Sequence, residues 1–253
     1  MKKRLTAAIL LLTTVLFTAL FSRPVYAAQE ESNVQSEEKQ EISDEVRELM
    51  VKAENGDAKA QFSLGHAYDF GKGIQQDSEK AAEWYARSAE QGYAKAQYNL
   101  GCMYHYGDGV KQDYEKAVEW YTKSAEQGHA SAQMNLGYMY RYGYGVEQDY
   151  EKAVEWVTKS AEQGNARGKH ILGYMYENGY GVEKNIDTAI EWYTKAAEQG
   201  YQKAKDRLEK LISGSTDIIT KTPVEEEDET EHQTENGCEG ENVEEEEENF
   251  GDW

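Results

Sequence analysis

The chain has 253 residues, a formal net charge of −21 at pH 7 and 39% hydrophobic residues. A chain this acidic repels nucleic acid and anionic lipid, so we expect neither as a partner. It contains two cysteines, too few for the disulfide framework of a small exported domain.

The first 27 residues have the order of a secretory signal peptide. Three basic residues at positions 2–4 precede an apolar run over residues 6–21, and the small residue Ala27 follows. The run is about 16 residues long, short of the roughly 20 that a membrane-spanning helix needs. We predict cleavage near Ala27, export to the periplasm or the medium, and no membrane association after cleavage. An uncleaved anchor is the alternative.

A short N-terminal helix is expected before the main part of the chain. Residues 28–42 are polar, acidic and without periodicity, which is typical of a flexible leader. Ser43 can accept a backbone N–H at a helix start, and acidic residues follow it in the first turn. Residues 43–57 are therefore predicted to form an N-terminal capping helix.

Four copies of one 36-residue segment come next, at residues 58–93, 94–129, 130–165 and 166–201. Tryptophan recurs at this fixed interval without insertion or deletion, at Trp84, Trp120, Trp156 and Trp192. The glycine after each leucine is expected to let helices approach closely, at Gly65, Gly101, Gly137 and Gly173. Self-similarity at this period is typical of a stacked repeat array.

Each copy is predicted to form two helices joined by a glycine turn. In the second copy, Leu100 and Tyr104 lie one helical turn apart on an apolar face. Gly107 and Gly109 interrupt this helix, because glycine reaches positive φ without strain. Asp113 is suited to N-cap the second helix.

The C-terminal part changes character after the fourth copy. Residues 202–212 read as one more first-type helix, more charged than the others, as expected of a terminal cap. Residues 213–253 are predicted to be a disordered acidic tail, since residues 222–253 hold 15 Asp and Glu and no Lys or Arg. Phe250 and Trp253 near its end could dock on a partner or fold back onto the array. Chance aromatics in a solubilising tail are the interpretation we favour.

The two cysteines lie far apart in the chain. Cys102 is inside the second repeat and Cys238 is in the acidic tail. A bridge between them would tie the tail to a helix, and the sequence favours two unpaired thiols instead.

The repeated pattern A-x-A-x-x-x-LG-x-x-Y-x-x-G-x-GV-x-x-D-x-x-KA-x-x-W-x-x-x-AAEQG resembles the Sel-1-like repeat family, a relative of tetratricopeptide repeats. The resemblance implies an all-α fold, a right-handed α-solenoid of four 36-residue helix-turn-helix repeats with half-repeat capping helices. It also implies a scaffold whose partner is a protein or an extended peptide. One cysteine-rich branch has been described as β-lactamase-like, with paired cysteines in each repeat, whereas only one repeat here contains a cysteine.

The first helix of each copy varies at positions 5, 9, 12 and 13 of the repeat, while most other positions are nearly identical. These offsets lie on one side of the helix, away from the Leu-Gly-Tyr packing face. In tetratricopeptide relatives they line the concave groove, and the resemblance implies a protein-binding groove formed here by Phe62, His66, Asp69, Tyr98, His105, Tyr106, Met134, Tyr138, Arg141, Tyr142, His170, Tyr174 and Glu177. The alternative is that position 5 is partly core and the rest ordinary surface.

No catalytic or metal-binding motif stands out. The chain lacks G-x-S-x-G, S-D-N and K-T-G, and no Cys/His spacing fits a zinc site. We therefore predict no catalytic residue, no cofactor and no metal, and a non-catalytic adaptor that acts through its groove. The alternatives are a secreted hydrolase of the β-lactamase-like branch and an array that only spaces other envelope components.

Overall fold

The computed structural model describes residues 42–214. These residues form ten α-helices, and there is no strand among them. The helices are α1 Asp44–Glu54, α2 Ala58–Phe70, α3 Ser78–Glu90, α4 Ala94–Tyr106, α5 Tyr114–Glu126, α6 Ala130–Tyr142, α7 Tyr150–Glu162, α8 Ala166–Asn178, α9 Ile186–Glu198 and α10 Gln202–Gly214. The predicted signal peptide, the leader up to residue 41 and the tail from residue 215 lie outside the described residues.

The helices stack as a solenoid, which confirms the all-α repeat architecture expected from the sequence. Each repeat supplies a first helix, A (α2, α4, α6 and α8), and a second helix, B (α3, α5, α7 and α9). Every helix A packs against helix B of its own repeat and against the helix that precedes it in the chain. The helix α1 covers α2 at one end, and α10 packs on α9 at the other.

The helix ends follow the residues that predict them. The side chain of Asp113 accepts the backbone N–H of Lys116 at 3.1 Å and so caps helix B of the second repeat. The same N-cap is confirmed in the other repeats at Asp77, Asp149 and Asn185. At the N-terminal end, Ser43 accepts the N–H of Val46 at 3.3 Å. The last helix continues to Gly214, two residues beyond the end predicted for the C-terminal cap.

The glycine after each leucine brings helices A and B of a repeat into direct contact. A Cβ atom on Gly101 would lie 2.7 Å from Cδ1 of Tyr121, whose ring is fully buried. On Gly137 it would lie 2.5 Å from Cγ2 of Val157. Real Cβ atoms do not approach other carbon atoms this closely, so the expected close approach of the helices is confirmed.

The second turn glycine contributes to the contact between repeats as well as to the turn. Gly109 has a φ of +62°, and a Cβ atom there would overlap the carbonyl of Ser78 in the preceding repeat. Gly145 and Gly181 meet the first residue of the preceding helix B in the same way, at Tyr114 and Tyr150. The turn of one repeat therefore lies directly on the start of helix B in the repeat before it.

A glutamine at position 4 of the repeat links three helices. The Nε2 atom of Gln97 donates to the carbonyl of Ala89 in the preceding helix B at 3.1 Å. Its Oε1 accepts from Nε2 of Gln127, the C-cap of helix B in its own repeat, at 2.7 Å. Gln61 and Gln133 make the same pair of bonds in the first and third repeats. The carbonyl of Ala89 also accepts the backbone N–H of Gly92 at 2.9 Å, so the glutamine adds a second hydrogen bond to it.

Among residues 42–214, no helix combines the length and the apolar character that crossing a bilayer requires.

Candidate protein-binding face of the A helices

Position 5 of helix A lies in the core in three of the four repeats. Phe62, Tyr98 and Met134 are 5%, 3% and 2% exposed. The ring of Phe62 lies 5.7 Å from that of Tyr85 in helix B, centroid to centroid. In the fourth repeat His170 is half-buried, 5.4 Å from the ring of Tyr193. Burial leaves the first three side chains little surface for a partner, so at this position the structure favours the core alternative.

Position 12 accepts a hydrogen bond from a buried tyrosine of helix B. The hydroxyl of Tyr85 donates to Oδ2 of Asp69 at 3.2 Å, and the hydroxyl of Tyr193 donates to Oε2 of Glu177 at 2.8 Å. Burial raises the pKa of Asp69 above its usual value, although the hydrogen bond from Tyr85 opposes that shift. In the first and fourth repeats, position 12 thus has a structural task.

The third repeat differs because helix B carries Val157 where the other repeats have tyrosine. No hydroxyl needs an acceptor there, and Arg141 stands at position 12. Its guanidinium lies 4.4 Å from the ring centroid of Tyr174 and 4.7 Å from that of Tyr142. Arg141 is 7% exposed, and these rings form part of its surroundings.

Half-buried tyrosines form a continuous patch over the second to fourth repeats. The rings of Tyr138 and Tyr142 lie 4.4 Å apart, and those of Tyr142 and Tyr144 lie 5.8 Å apart. Tyr144 also stacks on Tyr114 at 5.1 Å. We call the set of Tyr114, Tyr138, Tyr142, Tyr144, Tyr174, Tyr180 and Arg141 the aromatic patch.

The sequence analysis missed three members of this patch, Tyr114, Tyr144 and Tyr180. Tyr144 and Tyr180 come from the turn after helix A, at a position occupied by Lys72 and Asp108 in the first two repeats. Comparing the copies at the turn as well as within helix A would have found these two.

The remaining predicted groove residues lie at the edge of this patch or in the first repeat. His105 is 4% exposed and stacks on Tyr106 at 4.6 Å between ring centroids. His66 is 8% exposed and lies 4.5 Å from the ring of Phe70. Burial, with the nearby charge of Lys72, lowers the pKa of His66. Within residues 42–214, no group of three His, Cys, Asp or Glu side chains is arranged to hold a metal ion.

Cys102, at position 9 of the second repeat, is disulfide-bonded in the structure. The expectation of an unpaired thiol at this position is therefore wrong. Its Sγ atom also accepts from the hydroxyl of Tyr121 at 3.5 Å. The chain's other cysteine, Cys238, lies outside the described residues.

A different surface is formed by the tryptophans of the B helices. Each half-buried indole is covered by a basic side chain one turn later, as in Trp120, where Nζ of Lys123 lies 3.9 Å from the ring centroid. Trp84, Trp156 and Trp192 have the same arrangement with Arg87, Lys159 and Lys195. This row has the same chemistry in all four repeats, unlike the A helices.

Comparison with known proteins gives a family and two related structures. The Sel1 repeat model matches residues 58–93, 94–129, 130–165 and 166–201. A protective antigen present in uropathogenic Escherichia coli strains, which has an SLR fold, is 44% identical with a TM-score of 0.65, over 67% of this chain and 36% of that one. A Sel1 repeat protein from Oxalobacter formigenes is 36% identical with a TM-score of 0.62, over 69% and 72%. This chain thus aligns with about a third of the Escherichia coli protein. No curated protein matches it.

Proposed function

Because the chain belongs to the Sel1 repeat family, we propose that it is an exported, non-catalytic scaffold that binds a protein or an extended peptide. Proteins of this family generally mediate protein–protein interactions and are typically non-catalytic. The binding surface is the aromatic patch together with the neighbouring parts of the A helices. Nucleic acid and membrane are not partners of the mature chain.

The observation that carries this proposal is the clustering of variable aromatic and basic side chains on one surface. Positions that pack the repeats are nearly invariant from copy to copy, whereas the aromatic patch is confined to particular repeats. Tyrosine and arginine are enriched among the residues that supply most of the binding energy at protein interfaces. Tyrosine buries a large, rigid ring at a low cost in rotamer freedom. Tyr138, Tyr142 and Tyr144 are half-buried, so each keeps an accessible part.

The hydrogen bonds of the buried acids support the non-catalytic part of the proposal. Asp69 and Glu177 each accept a hydrogen bond from a buried tyrosine, and Glu177 also pairs with Arg207. Hydrolysis of a chromogenic β-lactam by the purified chain would overturn this part of the proposal. Recovery of the chain from the cytoplasm with its first residues intact would overturn export.

The binding test uses the mature chain as bait in envelope and medium fractions. We compare the unchanged bait, a triple variant with Tyr138→Ala, Tyr142→Ala and Tyr144→Ala, and a control variant with Lys123→Ala and Lys159→Ala in the tryptophan row. Far-UV circular dichroism first establishes that all three baits are folded. Proteins that the first and third baits retain and the triple variant loses support the proposal. Identical recovery on all three baits would overturn the aromatic patch as the binding surface.

A further inference from the structure

Cys102 lies on helix A of the second repeat, where it is 4% exposed and its thiol is engaged in a disulfide. It is at position 9 of helix A in the second repeat, one turn before His105 and one repeat before Tyr138. Cys102 is disulfide-bonded, and the whole chain contains two cysteines. Within one chain its partner can only be Cys238.

We propose that the acidic tail occupies the chain's own A-helix surface, with residues 235–241 held against the second and third repeats by a Cys102–Cys238 disulfide. The tail would then cover the surface to which the proposed function assigns partner binding. The inference needs no external partner, and it remains testable if no partner is found.

The chemistry of the tail segment suits the middle of this surface. Cys238 is flanked by Glu235, Glu239 and Glu241, with no Lys or Arg from residue 222 to the end of the chain. Carboxylates accept charge-assisted hydrogen bonds from guanidinium groups and also bond to tyrosine hydroxyls. Arg141 and the tyrosines of the aromatic patch offer both kinds of donor.

The distribution of charge at position 12 favours the same place. The acids at this position are in the outer repeats, Asp69 in the first and Glu177 in the fourth. The middle repeats carry His105 and Arg141 instead. An acidic segment therefore meets the least repulsion over the second and third repeats, and Cys102 lies in the second.

The length of the tail allows this placement. About 24 residues separate Gly214, at the end of α10, from Cys238, and an extended chain of that length spans roughly 80 Å. Six helix-to-helix steps lead back from α10 to α4, and at roughly 10 Å a step they amount to about 60 Å at most. The covalent link then makes occupation of the surface intramolecular, which raises the effective concentration of the segment.

Release of the segment is a thiol–disulfide exchange. A dithiol such as dithiothreitol attacks the disulfide and is oxidised to its own cyclic disulfide, and Cys102 and Cys238 each gain a proton as thiols. After reduction the tail is held by its charges alone, so high salt further weakens its contact.

The test begins with the linkage in the mature full-length chain. Proteolysis without reductant, followed by mass spectrometry, is expected to yield one peptide pair containing Cys102 and Cys238 from monomeric protein. Two free thiols, or a Cys102-linked dimer, would overturn the proposal.

Hydroxyl-radical footprinting then reports occupation of the surface. Side-chain oxidation of Tyr138 and Tyr142 is expected to rise severalfold in the reduced chain, desalted into 1 M NaCl to remove the radical-scavenging dithiothreitol, relative to the oxidised chain at low salt. Trp84 and Trp120 serve as internal controls and should react equally in both states. Cys238→Ser should give the same tyrosine oxidation as the reduced chain, and it leaves Cys102 and the repeats unaltered. Equal tyrosine reactivity in all forms would overturn occupation even if the disulfide is present.

The outcome is separable from that of the proposed function. If the disulfide and footprints behave as expected but neither oxidised nor reduced bait retains a partner, the scaffold proposal falls and the tail proposal stands. If a partner binds both redox forms equally through the aromatic patch, the tail proposal falls and the scaffold proposal stands.

Discussion

Arg207 in the last helix holds both carboxylate oxygens of Glu177, with Nε and Nη2 at 2.8 and 2.6 Å. The side chains are 20% and 11% exposed, so the pair is largely removed from water. The same carboxylate accepts a hydrogen bond from the hydroxyl of Tyr193, so its two oxygens accept three hydrogen bonds in all. Through this pair the C-terminal helix is fixed to helix A of the fourth repeat as well as to helix B.

Removing one partner of this pair should destabilise the C-terminal end. Arg207→Met leaves Glu177 as a buried charge without its counterion, and we expect a loss of about 3 kcal/mol. Glu177→Gln combined with Arg207→Met should lose less, because the amide oxygen still accepts from Tyr193 and no charge remains. Urea unfolding followed by circular dichroism measures both. A double variant less stable than the single one would contradict the prediction.

The contact at Gly137 predicts non-additive substitutions. Gly137→Ala places a Cβ atom 2.5 Å from Val157 and should cost about 1–3 kcal/mol through overpacking. Val157→Ala alone leaves a cavity and should also destabilise. The combined variant should lose less unfolding free energy than the two single variants lose together, because the new methyl group takes part of the vacated space. Thermal unfolding of the four proteins tests this, and simple additivity would count against a direct contact.

The exchange of tyrosine for valine in the third repeat predicts a compensating pair. Val157→Tyr alone buries a hydroxyl opposite Arg141, which cannot accept a hydrogen bond. Adding Arg141→Glu recreates the arrangement of Tyr193 and Glu177, so the double variant should regain about 1–3 kcal/mol over Val157→Tyr. The matched control lacks the hydroxyl: Val157→Phe with Arg141→Glu should show no such gain over Val157→Phe alone. Melting temperatures decide between these outcomes.

The buried carboxyl of Asp69 predicts a pH-dependent gain from its amide. Burial raises the pKa of this carboxyl in the folded state, so the folded chain binds its proton more strongly than the unfolded chain does. Stability is therefore lost as pH rises from the unfolded pKa through the folded one, and the full penalty applies at neutral pH. Asp69→Asn should raise the melting temperature at pH 7, by a margin that shrinks as pH falls through the raised folded pKa and vanishes below about 4.

Asp77 provides a contrast of opposite sign. Hydrogen bonds from Lys80 lower the pKa of this exposed N-cap, so its ionised form contributes stability above the unfolded pKa. Asp77→Asn should lower the melting temperature slightly at pH 7 and have no effect once the carboxyl is protonated. A gain at pH 7 in both variants would refute this assignment.

The architecture could be predicted from the sequence because its determinants are local and repeated. A capping aspartate such as Asp113, a turn glycine such as Gly107 and the glycine after leucine act on neighbouring backbone, and four copies make each signal unambiguous. Boundaries of the repeats follow from the period alone.

The candidate site was harder to predict, because variation between copies has two causes. At position 12 the residue changes together with its helix-B partner, as Asp69 with Tyr85 and Arg141 with Val157, which reflects packing and hydrogen bonding. Tyr138 and Tyr142 instead pack on each other and on Tyr144 of the turn, which belong to the candidate binding surface. Distinguishing the two cases requires knowing which side chains face helix B, and the helical period does not give that relation.

The bonds made by Gln61, Gln97 and Gln133 have a consequence for how such a chain can change in length. Each glutamine reaches 8 residues back and 30 residues forward along the chain, so every junction between these repeats uses the same register. Duplicating or excising 36 residues in this region recreates a junction identical to the one it replaces. Unequal recombination in the gene can therefore lengthen or shorten the array without any new complementary surface having to evolve.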